Sequence, residues 1–257
     1  MPTLPPHEHR DVAESFGSTA EQYDRARPDY PTDMINRIVD AATPGLRLLD
    51  VGIGTGIAAR QYRAAGCTVL GVEPDERMAE LARAGGTEVE VARFEEWETG
   101  GRVFDAVVAA QAWHWIDPSA GAVKAAEVLR PGSRLTVLWN VFQPPPEVAG
   151  VLADAFRRFG PEAPAFFDRP AIDLYRSMAG TAGEGMAATG AFHAPEEWRE
   201  SWDRDYTRAG LLEMLPTTGG MTRLPAATRT AILDDLATRI TDFTVRFTTV
   251  AVSARRR

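Results

Sequence analysis

The sequence predicts an α/β fold, a parallel sheet covered by helices, on three observations. Between residues 44 and 140, short apolar runs of strand type alternate with helical stretches, the pattern of right-handed βαβ units. A glycine cluster stands where the first apolar run hands over to the first helical stretch. Near the end of the chain, Phe243–Ser253 (FTVRFTTVAVS) alternates cleanly and is rich in β-branched residues, so it reads as a strand that joins the same sheet.

The elements follow in order. Leu46–Val51 (LRLLDV) is the first strand, ended by glycines. Thr55 precedes a helical stretch, Gly56–Ala65, which Gly66 stops. Cys67–Glu73 is the second strand. Asp75 is a good N-cap for Glu76–Ala84, which Gly85 and Gly86 terminate. Glu88–Ala92 and Val103–Ala109 are the third and fourth strands. Pro118 or Ser119 opens a helix that runs to Leu129, and Pro131-Gly132 turns the chain into a fifth strand, Ser133–Trp139. QPPPE then reads as a stiff linker. Residues 147–160 read as a helix, and residues 161–190 are only weakly periodic. Phe192–Tyr206 alternates in part, and Arg208–Leu215 and Ala226–Ile240 read as helices.

One domain is expected, in four stretches: an N-terminal helical cap (1–43), the ligand-binding core (44–140), an insertion (141–190), and closing helices and strands (191–257). The insertion is too long for an ordinary loop, so it is expected to serve as a helical lid that binds a substrate.

Composition removes several function classes. The chain has 257 residues and a formal net charge of −8. Its only run of cations is Arg255–Arg257, so neither a nucleic-acid nor a membrane-surface partner is expected. Cys67 is the sole cysteine, which excludes an intramolecular disulfide and a thiolate metal cluster and suits a reducing cytoplasm. The opening residues lack the pattern of a signal peptide, and no run is long and apolar enough to span a membrane. Lys124 is the only lysine among 28 basic residues. It sits in a pattern that faces solvent, so Schiff-base chemistry is not expected. His7, His9 and His193 lack clustered partners, and no metal is expected.

The glycine loop narrows the ligand. In Asp50-Val51-Gly52-Ile53-Gly54-Thr55-Gly56, glycines let the backbone approach a ligand, and the helix that follows adds aligned N–H groups. A dinucleotide fingerprint would need a third glycine at position 57, which is Ile57. Asp50 would repel a pyrophosphate but suits a ligand that carries an ammonium group. Glu73, at the end of the second strand, can accept both ribose hydroxyls of an adenosine, and Phe94 and Glu95 follow the third strand where an adenine would lie.

Together, DVGIGTG, VLGVEPDERM, RFEEW, FDAVVAAQAWHWID and LRPGSRLTVLWN resemble the class I S-adenosylmethionine (SAM)-dependent methyltransferases. More narrowly they resemble the methyltransferase type 11 group of small-molecule enzymes, which includes trans-aconitate methyltransferase-like proteins. The resemblance covers residues 16–140 well and extends more faintly to residue 253. It implies a Rossmann-like sheet of seven strands, mostly parallel with an antiparallel last strand and helices on both faces. It implies SAM as cofactor. It also implies that Tyr23 and Arg27, in FGSTAEQYDRARPDYP, approach the cofactor's carboxylate end, that Pro74 and Met78 belong to its seat, and that Ala110 and Gln111 line its methionine portion. Ser133 departs from the usual Pro-Gly-Gly, but Gly132 remains.

Methyl transfer to a small molecule by in-line displacement is therefore the expected reaction, with an oxygen acceptor favoured over nitrogen or carbon. His114 is a candidate general base, or else a pocket or structural residue. Trp113, Trp115, Phe156, Phe159, Phe166, Phe167 and Tyr175 are candidates for an apolar acceptor pocket. Two alternatives stand beside this reading: a nucleotide-dependent oxidoreductase and a SAM-binding protein without catalysis.

Overall fold

In a computed structural model the described residues are 16–39, 45–160 and 170–257. The candidates Phe166 and Phe167, together with His7 and His9, lie outside them. The sheet has seven strands in the order β3-β2-β1-β4-β5-β7-β6. These are β1 (Arg47–Val51), β2 (Thr68–Glu73), β3 (Glu88–Val91), β4 (Phe104–Ala110), β5 (Leu129–Gln143), β6 (Glu196–Tyr206) and β7 (Phe243–Arg255). Pairs among β1 to β5 are parallel, and β7 runs antiparallel to both β5 and β6. The last strand thus slots between β5 and β6, as its apolar alternation requires.

Helices cover both faces. On one face lie α2 (Thr32–Val39), α3 (Ile57–Ala64) and α4 (Glu76–Ala84); Met34, Ile38, Ala59, Tyr62 and Ala82 of this layer pack on Leu48 and Val108 of the sheet, whereas α1 (Ala20–Ala26) joins the cluster at the sheet's end through Ala26. On the other lie α5 (Pro118–Val128) and α7 (Ala171–Ala188), whose Ala122, Ala125, Ala182 and Met186 pack on Leu49, Val107 and Val137. A third cluster caps one end of the sheet. There α6 (Pro146–Phe159), α8 (Arg208–Met214) and α10 (Ala226–Arg239) bury Leu152, Phe156, Leu211, Ile232 and Leu236 around Phe247, and the short α9 (Gly219–Thr222) adds Met221. No helix among the described residues is long and apolar enough to cross a membrane.

Local signals explain the boundaries. The Asp75 side chain accepts from the N–H groups of Arg77 (2.9 Å) and Met78 (3.4 Å), so α4 begins where its cap dictates. Asp117 does the same for α5, accepting from Ser119 and Ala120.

Three expectations are corrected. Pro131-Gly132 does not end a helix-to-strand turn; it is a bulge within β5, with Gly132 at φ +81 and a register shift against Phe104 and Ala106. Residues 141–190 are not a separable insertion: Val141–Gln143 complete β5, and α7 buries Ala179, Ala182 and Met186 against the sheet. Lys124 is largely covered, with its side chain only 19% exposed.

Candidate functional site

The carboxyl ends of the parallel strands, where ligands bind in open α/β sheets, open onto a cavity of about 960 Å³. The glycine loop forms its floor beside β1 and β2. Gly52, Gly54 and Gly56 all have φ between +58 and +86, a backbone that side chains rarely adopt. The N–H groups of Gly52 and Ile53 donate to the Val72 carbonyl at 2.8 and 3.3 Å, so the loop is tied to β2. The three glycines serve different purposes. A Cβ on Gly52 would collide with that of Ala112, while one on Gly54 would meet nothing, so Gly54 leaves cavity space open. Gly56 does not line the cavity; a Cβ there would press on Ala82 of α4.

Two carboxylates define the electrostatics. Glu73 lines the cavity, and its oxygens accept from the backbone N–H groups of Gly54 (2.9 Å) and Asp75 (3.1 Å). Burial pushes its pKa up to about 7, against the pull of those two N–H groups. Asp50 lies beneath the loop, 1% exposed, and neither oxygen has a hydrogen-bond partner. Burial first, and the Glu73 charge second, push it up to about 8. An orphaned buried carboxylate is costly unless a donor or a cation compensates it. The open cradle at Gly54, the accepting Glu73 and orphaned Asp50 all suit the adenosine and cationic parts of SAM.

The N-terminal helices cross this end of the cavity. Phe16, Tyr23 and Arg27 line it. Arg27 is held over the Tyr23 ring at 4.8 Å and donates to the Thr217 hydroxyl (3.0 Å) and carbonyl (2.6 Å). Gly17 packs against the Asp75 carboxylate so closely that a Cβ would overlap it. Pro74, Met78, Phe94 and Glu95 line the same end, and Glu95 also accepts the Asp117 N–H at 3.2 Å.

Beyond β4 the chain is strained. Gln111 is the one non-glycine residue among those described with positive φ, +59. Its N–H donates to Leu138 and its side-chain amide to the Asn140 carbonyl, while Ala110 and Gln111 both line the cavity. The turn Trp113–Trp115 then sorts its side chains. Trp113 is 2% exposed and packs into the core against Ile116 and Gly121, so it is not a pocket residue. His114 and Trp115 line the cavity. His114 accepts the Trp139 indole N–H on Nδ1 at 3.2 Å, and burial lowers its pKa to about 3. An indole N–H only donates, so the ring's proton belongs on Nε2. That nitrogen is a donor, which disfavours the general-base role and fits a pocket residue.

The far half of the cavity is aromatic. Phe156 and Tyr175 line it, as expected, but Phe159 is 38% exposed and does not. Phe142, Tyr206 and Phe247 complete the wall and were not singled out from sequence. They meet because β5, β7 and β6 are in register: Phe142 pairs with Phe247, and Tyr206 with Phe243. The signal was available in the alternation of Phe243–Ser253, whose first apolar residues fall at the carboxyl edge once the strand is read as antiparallel.

Comparisons with known proteins agree with this geometry. Residues 49–137 match a family model described as a methyltransferase domain. Uncharacterized methyltransferases of Mycobacterium tuberculosis and Mycobacterium bovis are 40% identical over 133 residues, 51% of this chain and 54% of theirs. The chain thus spans about half the length of these relatives. Aklanonic acid methyltransferase of Streptomyces sp. strain C5 is 30% identical over 173 residues, which is 60% of this chain and 78% of that protein. A solved structure from Anaeromyxobacter dehalogenans, assigned as a type II methyltransferase, shares the fold. It has a TM-score of 0.60 at 21% identity and covers 89% of this chain and 97% of its own. The chain belongs to the class I SAM-dependent methyltransferases.

Proposed function

We propose that the protein transfers the methyl group of SAM to a small apolar molecule, with oxygen the favoured acceptor atom. The observation that carries this reading is the single cavity, continuous from Gly54 and Glu73 at one end to Phe142, Phe156 and Phe247 at the other. Its volume of about 960 Å³ lies near the top of the range for small-molecule sites, leaving room for a second molecule beside the cofactor. SAM supplies a methyl group already activated on a sulfonium. The chain's task is then to bind, to align and to exclude water.

In this reading Glu73 accepts the ribose hydroxyls, Phe94 and Glu95 flank the adenine, and Asp50 compensates the cofactor's positive charge through the loop above it. Tyr23 and Arg27 hold the carboxylate end, and Ala110 and Gln111 border the methionine portion. Residues 16–39 close one side of the cavity. The cover on the acceptor side is α6 with the first turns of α7, because the rest of α7 belongs to the core. The relative that acts on aklanonic acid supports a small organic acceptor. The acidic net charge and the lone, partly buried Cys67 fit an enzyme without a nucleic-acid partner in a reducing compartment.

Calorimetric titration with S-adenosylhomocysteine (SAH) tests the reading. One-site binding is expected, weakened at least tenfold, about 1.4 kcal/mol, by Glu73→Gln. NADH binding without SAH binding would instead support the oxidoreductase alternative.

A further inference from the structure

Resting on the methyl-transfer reading, we infer that Thr217 is a positioning residue for the cofactor. It aims the Arg27 guanidinium at the cofactor's carboxylate and so sets the chain's preference for a ligand that carries one.

The contact joins residues 190 apart in the sequence. The Arg27 Nε donates to the Thr217 hydroxyl at 3.0 Å, and its Nη2 donates to the Thr217 carbonyl at 2.6 Å. The hydroxyl's own proton is engaged, donated to the Met214 carbonyl at 2.6 Å, which leaves the oxygen lone pairs for Arg27. Thr217 is 0% exposed and lies in the tight turn Leu215–Thr217 between α8 and α9. The residues just before this turn hold α1 at two further points. The Gln22 amide donates to the Glu213 carbonyl at 2.7 Å, and Arg25 pairs with the Glu213 carboxylate at 3.1 Å. The Tyr23 ring lies against the guanidinium. An arginine free in solvent gives up rotamer freedom when a ligand fixes it; here the fold has fixed it in advance.

Both partners of Arg27 are uncharged. Among the described residues its guanidinium pairs with no carboxylate, yet it lines the cavity. The N–H groups on Nη1 are left for a ligand, and their charge-assisted bonds to a carboxylate are the strong kind. Thr217 itself does not line the cavity, whereas Leu215 and Thr218 beside it do. It therefore reaches the cofactor only through Arg27. Without the hydroxyl, a single bond to a carbonyl remains and the guanidinium turns about it. The carboxylate then loses its aligned partner. The adenosine seat at Gly54 and Glu73 shares no hydrogen bond with Thr217 and stays as it is.

The test titrates the full chain with three ligands. They are SAH, S-adenosyl-3-thiopropylamine (SAH without its carboxylate) and 5′-methylthioadenosine, which lacks the amino-acid portion altogether. The unaltered chain is expected to bind SAH about tenfold tighter than the amine. Thr217→Val, of the same shape without the hydroxyl, is expected to cut that ratio about fivefold and to leave 5′-methylthioadenosine within about twofold. Thr217→Ser, which keeps the hydroxyl, is expected to retain most of the ratio, and Arg27→Gln to abolish it. Where the Val variant does not fold, Thr217→Ala carries the same expectation. A ratio that survives loss of the hydroxyl but falls in Arg27→Gln overturns the proposal. So do equal weakening of all three ligands, loss of the ratio in Thr217→Ser, and absence of the preference from the unaltered chain. A ratio indifferent to Arg27→Gln, or failure of SAH to bind at all, strikes the cofactor placement of the methyl-transfer reading instead, so the two failures are distinguishable.

Discussion

At the scale of single residues, Asp50 sets stability against binding. Its folded-state pKa is raised from 3.8 to about 8, by burial and then by Glu73. The folded protein without cofactor therefore holds a proton that the unfolded chain has lost. Asp50's contribution is fully present below pH ~4 and is lost as the pH climbs through about 8. Asp50→Asn is neutral at every pH, so it should raise the melting temperature of the cofactor-free protein at pH ~8 by about 5 °C. The same change should weaken SAH at least tenfold. An unchanged melting temperature at that pH contradicts the placement of Asp50. Most residues proposed for the cofactor line the cavity, and their place there was legible because they sit at fixed offsets from strand ends. Trp113 was not: in Trp-His-Trp, composition alone does not say which ring turns inward, and the decision falls to Ile116 and Gly121, which pack on Trp113.

At the scale of elements, the stretch from β1 to α5 was legible nearly residue by residue, since apolar runs, glycines, the cap Asp75 and the helix-opening Pro118 mark each boundary. The helix α7 was not. Its sequence, AIDLYRSMAGTAGEGMAA, contains three glycines, and glycine weakens helix propensity. These small residues serve packing. A Cβ on Gly185 would press on the backbone of Pro118 at the start of α5. Gly185→Ala thus separates two effects. Propensity alone would stabilise the helix by about 1 kcal/mol, whereas the clash with a backbone that cannot move aside should destabilise the protein by roughly 1–3 kcal/mol. Chemical denaturation decides between them, and a more stable variant would contradict the close approach of α7 to α5. The bulge at Pro131-Gly132 escaped notice for a related reason. A turn and a bulge use the same residues, and only the pairing with β4 and β7 tells them apart.

At the scale of the whole molecule, the sheet order divides the cavity wall into two halves. In the proposed reading, strands β3, β2, β1 and β4 carry the residues assigned to the cofactor, and β5, β7 and β6 carry the aromatic wall. Insertion of the last strand in the antiparallel sense brings Phe247 to the carboxyl edge beside Phe142, which joins the halves into one cavity. Without register, sequence could indicate that an acceptor region existed but not which aromatics formed it. The most direct measurement is a crystal structure of the chain soaked with SAH. Density is expected with the ribose at Glu73, the adenine beside Phe94, and the sulfur toward the space bounded by His114 and the aromatic wall. Density lodged among Phe142, Phe156 and Phe247, with nothing bound at Glu73, would contradict the account.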